Sequence, residues 1–351
     1  MKVNGIPTRT IRALDNGSAI EIIDQTLLPY RFEKRILSDW RDGVEAIETM
    51  RVRGAPLIGI AENGPLLAAA ERIQCARPTA VNLVWAVQKM LTALVPREPS
   101  QRFDTAVKLA AQLTQEDVDT CRAIGDMGSS LIAERYQALR RPVNILTHCN
   151  AGWLATVDYG TALAPIYAAF ERGTPLHVWV DETRPRNQGL LTAWELRQQG
   201  VPHTIIADNA GGQLMQKGDV DLVIVGADRI TRRGDVANKI GTYLKALAAF
   251  DNDIPFFVAA PSSTIDWKLN DGKREIPIEN RSAAEVLTVR GVDQTGHDAS
   301  VQLAPPDEAA ANPAFDVTHN RFVSGIITER GIFAPTDLAT RFQDQIANAG
   351  L

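Results

Sequence analysis

The run Asp221–Tyr243, DLVIVGADRITRRGDVANKIGTY, constrains the fold more than any other stretch of the chain. Leu222–Val225 is an unbroken block of β-branched and aliphatic residues, which predicts a central parallel strand covered on both faces. Gly226–Ala227 then turns the backbone, so Asp228 falls just past the carboxyl end of that strand, where open α/β sheets carry their chemistry. Asn238 and Lys239 precede the apolar-periodic segment Ile240–Phe250 and are expected near the start of a helix, whose free amides favour an anion. An acid and a phosphate-ready corner are thus expected side by side. An aspartate at a strand end also serves as a cap or turn residue, and Asp228 alone does not decide between the two readings.

Other segments repeat the design. Candidate strands at Val143–Leu146, Leu176–Val180, His203–Ile206 and Pro255–Ala259, with a late one at Phe322–Ile327, alternate with helical patterns at Thr156–Phe170, Leu190–Gln199 and Asn238–Phe250. That alternation predicts a wound parallel sheet. Its strand ends read THCNAG, DETRPRNQG, DNAGG and GADRI, and polar, glycine-rich ends recurring on one edge point to a single composite pocket. Cys149 lies where the first strand hands over to a helix. Its neighbours His148, Asn150 and Gly152 suit an activated thiol or an oxyanion site, while a buried structural cysteine is the competing account. No GxGxxG follows the first strand and GxxxxGK[ST] is absent, so neither a dinucleotide nor a nucleoside triphosphate cofactor is expected.

The first half differs in texture. Residues 1–37 alternate apolar and polar around an Asn16–Gly17 turn signal, predicting a small antiparallel sheet. From Ser38, a candidate N-cap, Trp40, Val44, Ile47 and Met50 fall on one helical face. RVRGAP follows, where Arg51 and Arg53 flank a turn at Gly54 and Pro56; it reads equally as an anion-binding corner or as a solvated arginine pair. Arg77–Leu94 is a further amphipathic helix with Pro78 in its first turn, closed by Pro96 and Pro99. Residues 101–140 predict two more helices joined around Gln115–Asp117, with Cys121 and Met127 in the core. Arg140–Pro142 is the linker expected between a mostly helical domain with a small sheet, 1–140, and a Rossmann-like domain, 141–351. The fold class is therefore α/β.

Composition excludes several classes of function. With 45% hydrophobic and 23% charged residues the 351-residue chain is of ordinary globular make-up. A net charge of −5 argues against a nucleic-acid surface. An apolar run long enough to span a membrane is absent, and three scattered cysteines without CxxC argue for a reducing cytoplasm and against a metal site.

THCNAGWLAT, VDETRPRNQG, TAWEL, IADNAGG, GADRITRRGDVANKIGTY, IPIENR and NPAFDVT, together with RVRGAPLIG and RPTAVNL, resemble the methylthioribose-1-phosphate isomerase family. The fold of that family is similar to the regulatory subunits of the eukaryotic translation-initiation nucleotide-exchange factor. The resemblance implies an aldose–ketose isomerase of methionine salvage, without cofactor or metal, acting on a phosphorylated sugar as a homodimer. It further implies Cys149 as catalytic cysteine and Asp228 as proton donor, and a substrate held by Arg53, Gly54, Ala55, Arg77, Gln188, Asn238 and Lys239. Two alternatives stand beside it: an isomerase of 5-deoxyribose 1-phosphate or ribose 1,5-bisphosphate, and a non-catalytic regulatory subunit of the same fold.

Overall fold

The structure, a computed structural model, describes residues 1–14, 17, 19–52, 66–76, 79, 81–305 and 307–348. Near the start, Ile11–Leu14, Ala19–Ile23 and Lys34–Leu37 form the expected antiparallel sheet, with Leu14 opposite Ala19 across the hairpin. Gly17 adopts φ +94°, a conformation glycine reaches without strain; Asn16 lies outside the described residues. Helix Trp40–Glu48 buries Val44 and Ile47 as the pattern required, but its cap is Asp39 and not Ser38. The Asp39 carboxylate accepts from Arg41 N at 2.7 Å while Asp42 accepts from Asp39 N at 3.1 Å. The acid takes the cap because it closes a capping box, with Asp42 accepting in return from the amides of both Ser38 and Asp39.

Helices Leu66–Cys75 and Val81–Leu94 lead to Pro99–Leu139, one uninterrupted helix of 41 residues where two were expected. The expected break at Gln115–Asp117 contains neither glycine nor proline. Side-chain hydrogen bonds one turn apart, Gln112 to Glu116 at 2.7 Å and Gln115 to Asp119 at 2.9 Å, bridge it instead. Cys121 is buried on this helix, whereas Met127, expected in the core, is 42% exposed. The helix lies against Ala164–Glu171 through its glycines: a Cβ on Gly128 would stand 2.5 Å from Pro165 Cγ. Arg140, at φ +55°, ends it.

The large sheet has seven strands in the order Gly331–Phe333, Gly325–Thr328, Phe256–Ala259, Leu222–Val225, Val143–Thr147, Leu176–Asp181 and His203–Ile206. All neighbours pair in parallel except the Gly331–Phe333 edge. Numbered along the chain, the six parallel strands run 3-2-1-4-5-6, the doubly wound order, so the winding reverses between Val143–Thr147 and Leu222–Val225. Both strands are buried on both faces, which explains their nearly unbroken apolar sequence.

Three local expectations shift. The late strand begins at Gly325 because Phe322 sits in a short 3-10 turn, its ring edge-on to Tyr243 and Phe250. The helix expected from Thr156 begins at Ala164, since Tyr159 and Gly160 both adopt positive φ and break the path. Asn238 and Lys239 belong to a strand, Val236–Lys239, of a separate sheet of four strands with Ile265–Asp266, Arg229–Thr231 and Phe315–Thr318. Among the described residues no helix is long and apolar enough to cross a membrane.

Candidate active site

The two strands at the winding reversal end in loops that meet. Gly226, directly after Leu222–Val225, lies so near the other loop that a Cβ would stand 2.6 Å from Ala151 Cβ. Cys149 follows Val143–Thr147 in a left-handed conformation, φ +66°, that a non-glycine residue holds only when its surroundings over-determine it. Here the surroundings do so. Its amide donates to Thr183 Oγ1 at 2.8 Å and its carbonyl accepts from Thr192 Oγ1 at 2.8 Å, tying the loop to the next strand end and to helix Gln188–Gln198. Across from it, the Asp228 amide donates to Ala237 O at 2.9 Å, which seats the acid at the root of the hairpin formed by Arg229–Thr231 and Val236–Lys239.

Between these loops opens a cavity of about 730 Å³ whose walls include Cys149, Asn150, Gln188, Asp228, Asn238 and Lys239. Five of the residues expected at the site are thus brought together. Arg53, Gly54, Ala55 and Arg77, together with Pro78, lie outside the described residues. Gln188 is buried, and among the described residues its Oε1 is an acceptor with no hydrogen-bond partner; Asn82 Oδ1, on the same cavity, is another. Buried acceptors aimed at a cavity suit a ligand rich in hydroxyl donors. The Lys239 ammonium stands 4.5 Å over the Phe315 ring, and Asn238 Nδ2 donates to Thr242 Oγ1 at 3.0 Å.

The anion corner expected at the start of the following helix is already occupied. Helix Thr242–Asp251 begins after Gly241, and the Asp316 carboxylate accepts from Gly241 N at 2.7 Å and from Tyr243 N at 3.1 Å. Asp316 thus takes the amides that a phosphate was expected to take, and burial pushes its carboxyl up to about 6. Lys239 serves the cavity from a strand, where its position owes nothing to a helix dipole.

Behind Cys149 lies a buried polar network. His148 Nδ1 faces Asp181 Oδ2 at 2.9 Å and its Nε2 donates to Ile240 O at 2.8 Å, while Lys245 Nζ stands 3.1 Å from Asp181 Oδ2 and donates to Asp208 O. Asp208 in turn accepts from the amides of Thr183 at 2.7 Å and Arg184 at 2.8 Å. His148, Asp181 and Asp208 form the grouping with metal-ligand chemistry among the described residues, but the Lys245 ammonium supplies the positive charge there. It is an ion-pair network that ties four strand ends together.

Two acids near the pocket have no counterpart in the sequence reading. Asp117, from the middle of the long helix, lines the cavity, accepts from Val157 N at 2.8 Å and is pushed up to about 6 by burial. One acid in a charged helical run carries no signal of its own. Glu195 of TAWEL lies fully buried beneath the Cys149 loop, and burial pushes it up to about 7. Its sequence neighbourhood, in which apolar residues surround a lone acid, was the available clue.

A doubly wound sheet with a cysteine and an acid converging at its winding reversal is the layout of an enzyme that works on a small polar molecule. Residues 53–335 match the model of the initiation factor 2 subunit family. The methylthioribose-1-phosphate isomerases of Methylobacterium nodulans and Acidiphilium cryptum are each 55% identical, the first covering 96% of both chains and the second 98% of both. The crystal structure of 5-methylthioribose 1-phosphate isomerase from Pyrococcus horikoshii superposes with a TM-score of 0.78 at 37% identity, over 97% of this chain and 96% of that one. The delta subunit of translation initiation factor eIF-2B from A. fulgidus gives 0.75 at 35% identity, over 97% and 100%. The chain belongs to the initiation factor 2 subunit family and, within it, to the methylthioribose-1-phosphate isomerases.

Proposed function

We propose that this chain converts 5-methylthioribose 1-phosphate to 5-methylthioribulose 1-phosphate in methionine salvage, with Cys149 and Asp228 as its catalytic pair. The observation that carries this reading is their convergence on one cavity from the two strands of the winding reversal. Phosphate on the anomeric oxygen prevents the sugar from opening by itself, so the enzyme must protonate the ring oxygen. Asp228 takes that role as general acid. Hydrogen then passes from C2 to C1, with Cys149 either removing the proton to give an enediol or stabilising charge during a hydride shift. Gln188, with its buried acceptor, and Asn238 hold sugar hydroxyls, while Lys239 meets the phosphate together with Arg53, Gly54, Ala55 and Arg77.

The same reading includes a cytoplasmic homodimer without cofactor. A regulatory subunit of this fold is the rival reading, favoured by the likeness to the eIF-2B subunit. Turnover of 5-methylthioribose 1-phosphate, 5-deoxyribose 1-phosphate and ribose 1,5-bisphosphate by the purified protein separates the readings. Preference for the methylthio sugar, lost in Cys149→Ser and in Asp228→Asn, is the expected result. Preference for another sugar moves the pathway, and no turnover of any favours the regulatory subunit. Retention of a C2 deuterium in the product selects the hydride shift, and its washout selects the enediol.

A further inference from the structure

The reaction as described leaves unused a carboxylate that lies directly under the Cys149 loop. Glu195, on helix Gln188–Gln198, is fully buried and surrounded by donors. Its Oε1 accepts from Asn150 Nδ2 at 2.8 Å and Leu154 N at 3.0 Å, and its Oε2 from Trp153 N at 2.8 Å and Tyr167 Oη at 3.0 Å. The segment is drawn in so tightly that a Cβ on Gly152 would stand 1.9 Å from Glu195 Oε2. Three of the four donors belong to residues 150–154, the stretch that leaves Cys149. Thr192 Oγ1, which also donates to the Cys149 carbonyl, takes the other hydrogen of the Asn150 amide at 3.1 Å. With both hydrogens engaged, the Asn150 amide cannot flip. Asn150 itself lines the cavity beside Cys149.

We propose that Glu195 is a positioning residue for the isomerisation, its carboxylate fixing residues 150–154 so that Cys149 and the Asn150 amide face the substrate in one geometry. This rests on the reading of Cys149 as a catalytic residue. A buried ion is expensive, and removing its charge leaves its donors unanswered. Each oxygen of the ionised carboxylate answers two donors. Protonated, one oxygen becomes a donor, and Tyr167 Oη is the group around it able to turn and accept, since the others are N–H groups. Tyr167 is also the titratable group that faces Glu195; Asn150 and the two amides are neutral. Burial holds Glu195 near 7, so the exchange between the two forms falls within the working range of pH.

The test pairs Glu195→Gln with Tyr167→Phe. Turnover of 5-methylthioribose 1-phosphate is followed across pH, and alkylation of Cys149 by iodoacetamide is followed by peptide mass spectrometry, which separates it from Cys75 and Cys121. In Glu195→Gln an NH₂ group faces a backbone amide, and kcat is expected to fall about 100-fold with KM changed by less than about threefold. Its Cys149 alkylation rate is expected to change severalfold while that of Cys75 does not. Tyr167→Phe removes one bond that favours the carboxylate, so the acid limb of kcat is expected to move to higher pH. A drop in melting temperature alone, with kcat, the acid limb and Cys149 alkylation all as in the wild type, would overturn the proposal. If Glu195→Gln does not fold, the acid limb and Cys149 alkylation of Tyr167→Phe decide alone, unmoved values overturning the proposal. A wild-type protein that turns over none of the sugars defeats the isomerase reading instead, and the alkylation rates then decide the role of Glu195 by themselves.

Discussion

The cavity has two walls of different construction. The wall at the strand ends is backed by polar groups with no access to water: Asp181 and Glu195, which lie behind the lining residues, are both 0% exposed, Asp181 held by His148 and Lys245 and Glu195 by four donors. The wall from helices Val81–Leu94 and Pro99–Leu139 is wet. Lys89 and Glu116 stand 3.5 Å apart with both side chains 44% exposed, and the Lys89 ammonium lies over a Trp85 ring that is itself 37% exposed. An exposed pair of this kind contributes about 0–1 kcal/mol, whereas stripping one partner from a buried pair costs about 3–5 kcal/mol. Fixed geometry is therefore concentrated where Cys149 and Asp228 sit, and the opposite wall is free to adjust. Asp117 is the seam between them, a helical acid that answers the Val157 amide of the sheet side.

That contrast can be broken by measurement. The largest effect is expected for Cys149→Ser and Asp228→Asn, each lowering kcat at least about 1000-fold, or about 4 kcal/mol, with little change in melting temperature. A loss under tenfold in steady-state kinetics would remove the chemistry from the rigid wall. Next comes Lys245→Met, which leaves Asp181 without its ammonium. Chemical denaturation should show about 3–5 kcal/mol lost, and a change below 1 kcal/mol would mean that the buried network is not what stiffens this wall.

Asp117→Asn should act more gently and with a pH signature. The native carboxyl titrates at about 6 instead of 3.8, so the folded state binds the proton more tightly than the unfolded chain. Stability drawn from that acid is present at low pH and is lost as pH rises through about 6. Asparagine keeps an acceptor for Val157 N without the charge. The variant should match the wild type near pH 4 and melt a few degrees higher at pH 8, and a pH-independent difference would contradict this account. The smallest effect is assigned to Lys89→Ala, within about 1 kcal/mol in stability; a larger loss would mean that the helical wall is as tightly organised as the other.

Much of the rigid wall was legible along the chain. Leu222–Val225 and Val143–Thr147 announce themselves as buried strands because a strand covered on both faces needs an apolar residue at nearly every position. Cys149 and Asp228 were legible for the complementary reason, as polar residues placed where such strands stop, whereas Gln188, the first residue of a helix, was reached through the family resemblance. What went unread depends on partners distant in sequence. Asn238 and Lys239 look like a helix start, yet they pair with Asp316 and Phe315 in a strand, and Asp316 fills the amides of the helix that follows. Asp117 and Glu195 look like ordinary helical acids until Val157 and the residues after Cys149 close over them. Local pattern determined the strands, the turns and which polar residues stand at the strand ends. Only tertiary packing decided which amides meet a carboxylate and which acids lose their water, because desolvation belongs to the assembled surroundings of a group and not to its neighbours in the chain.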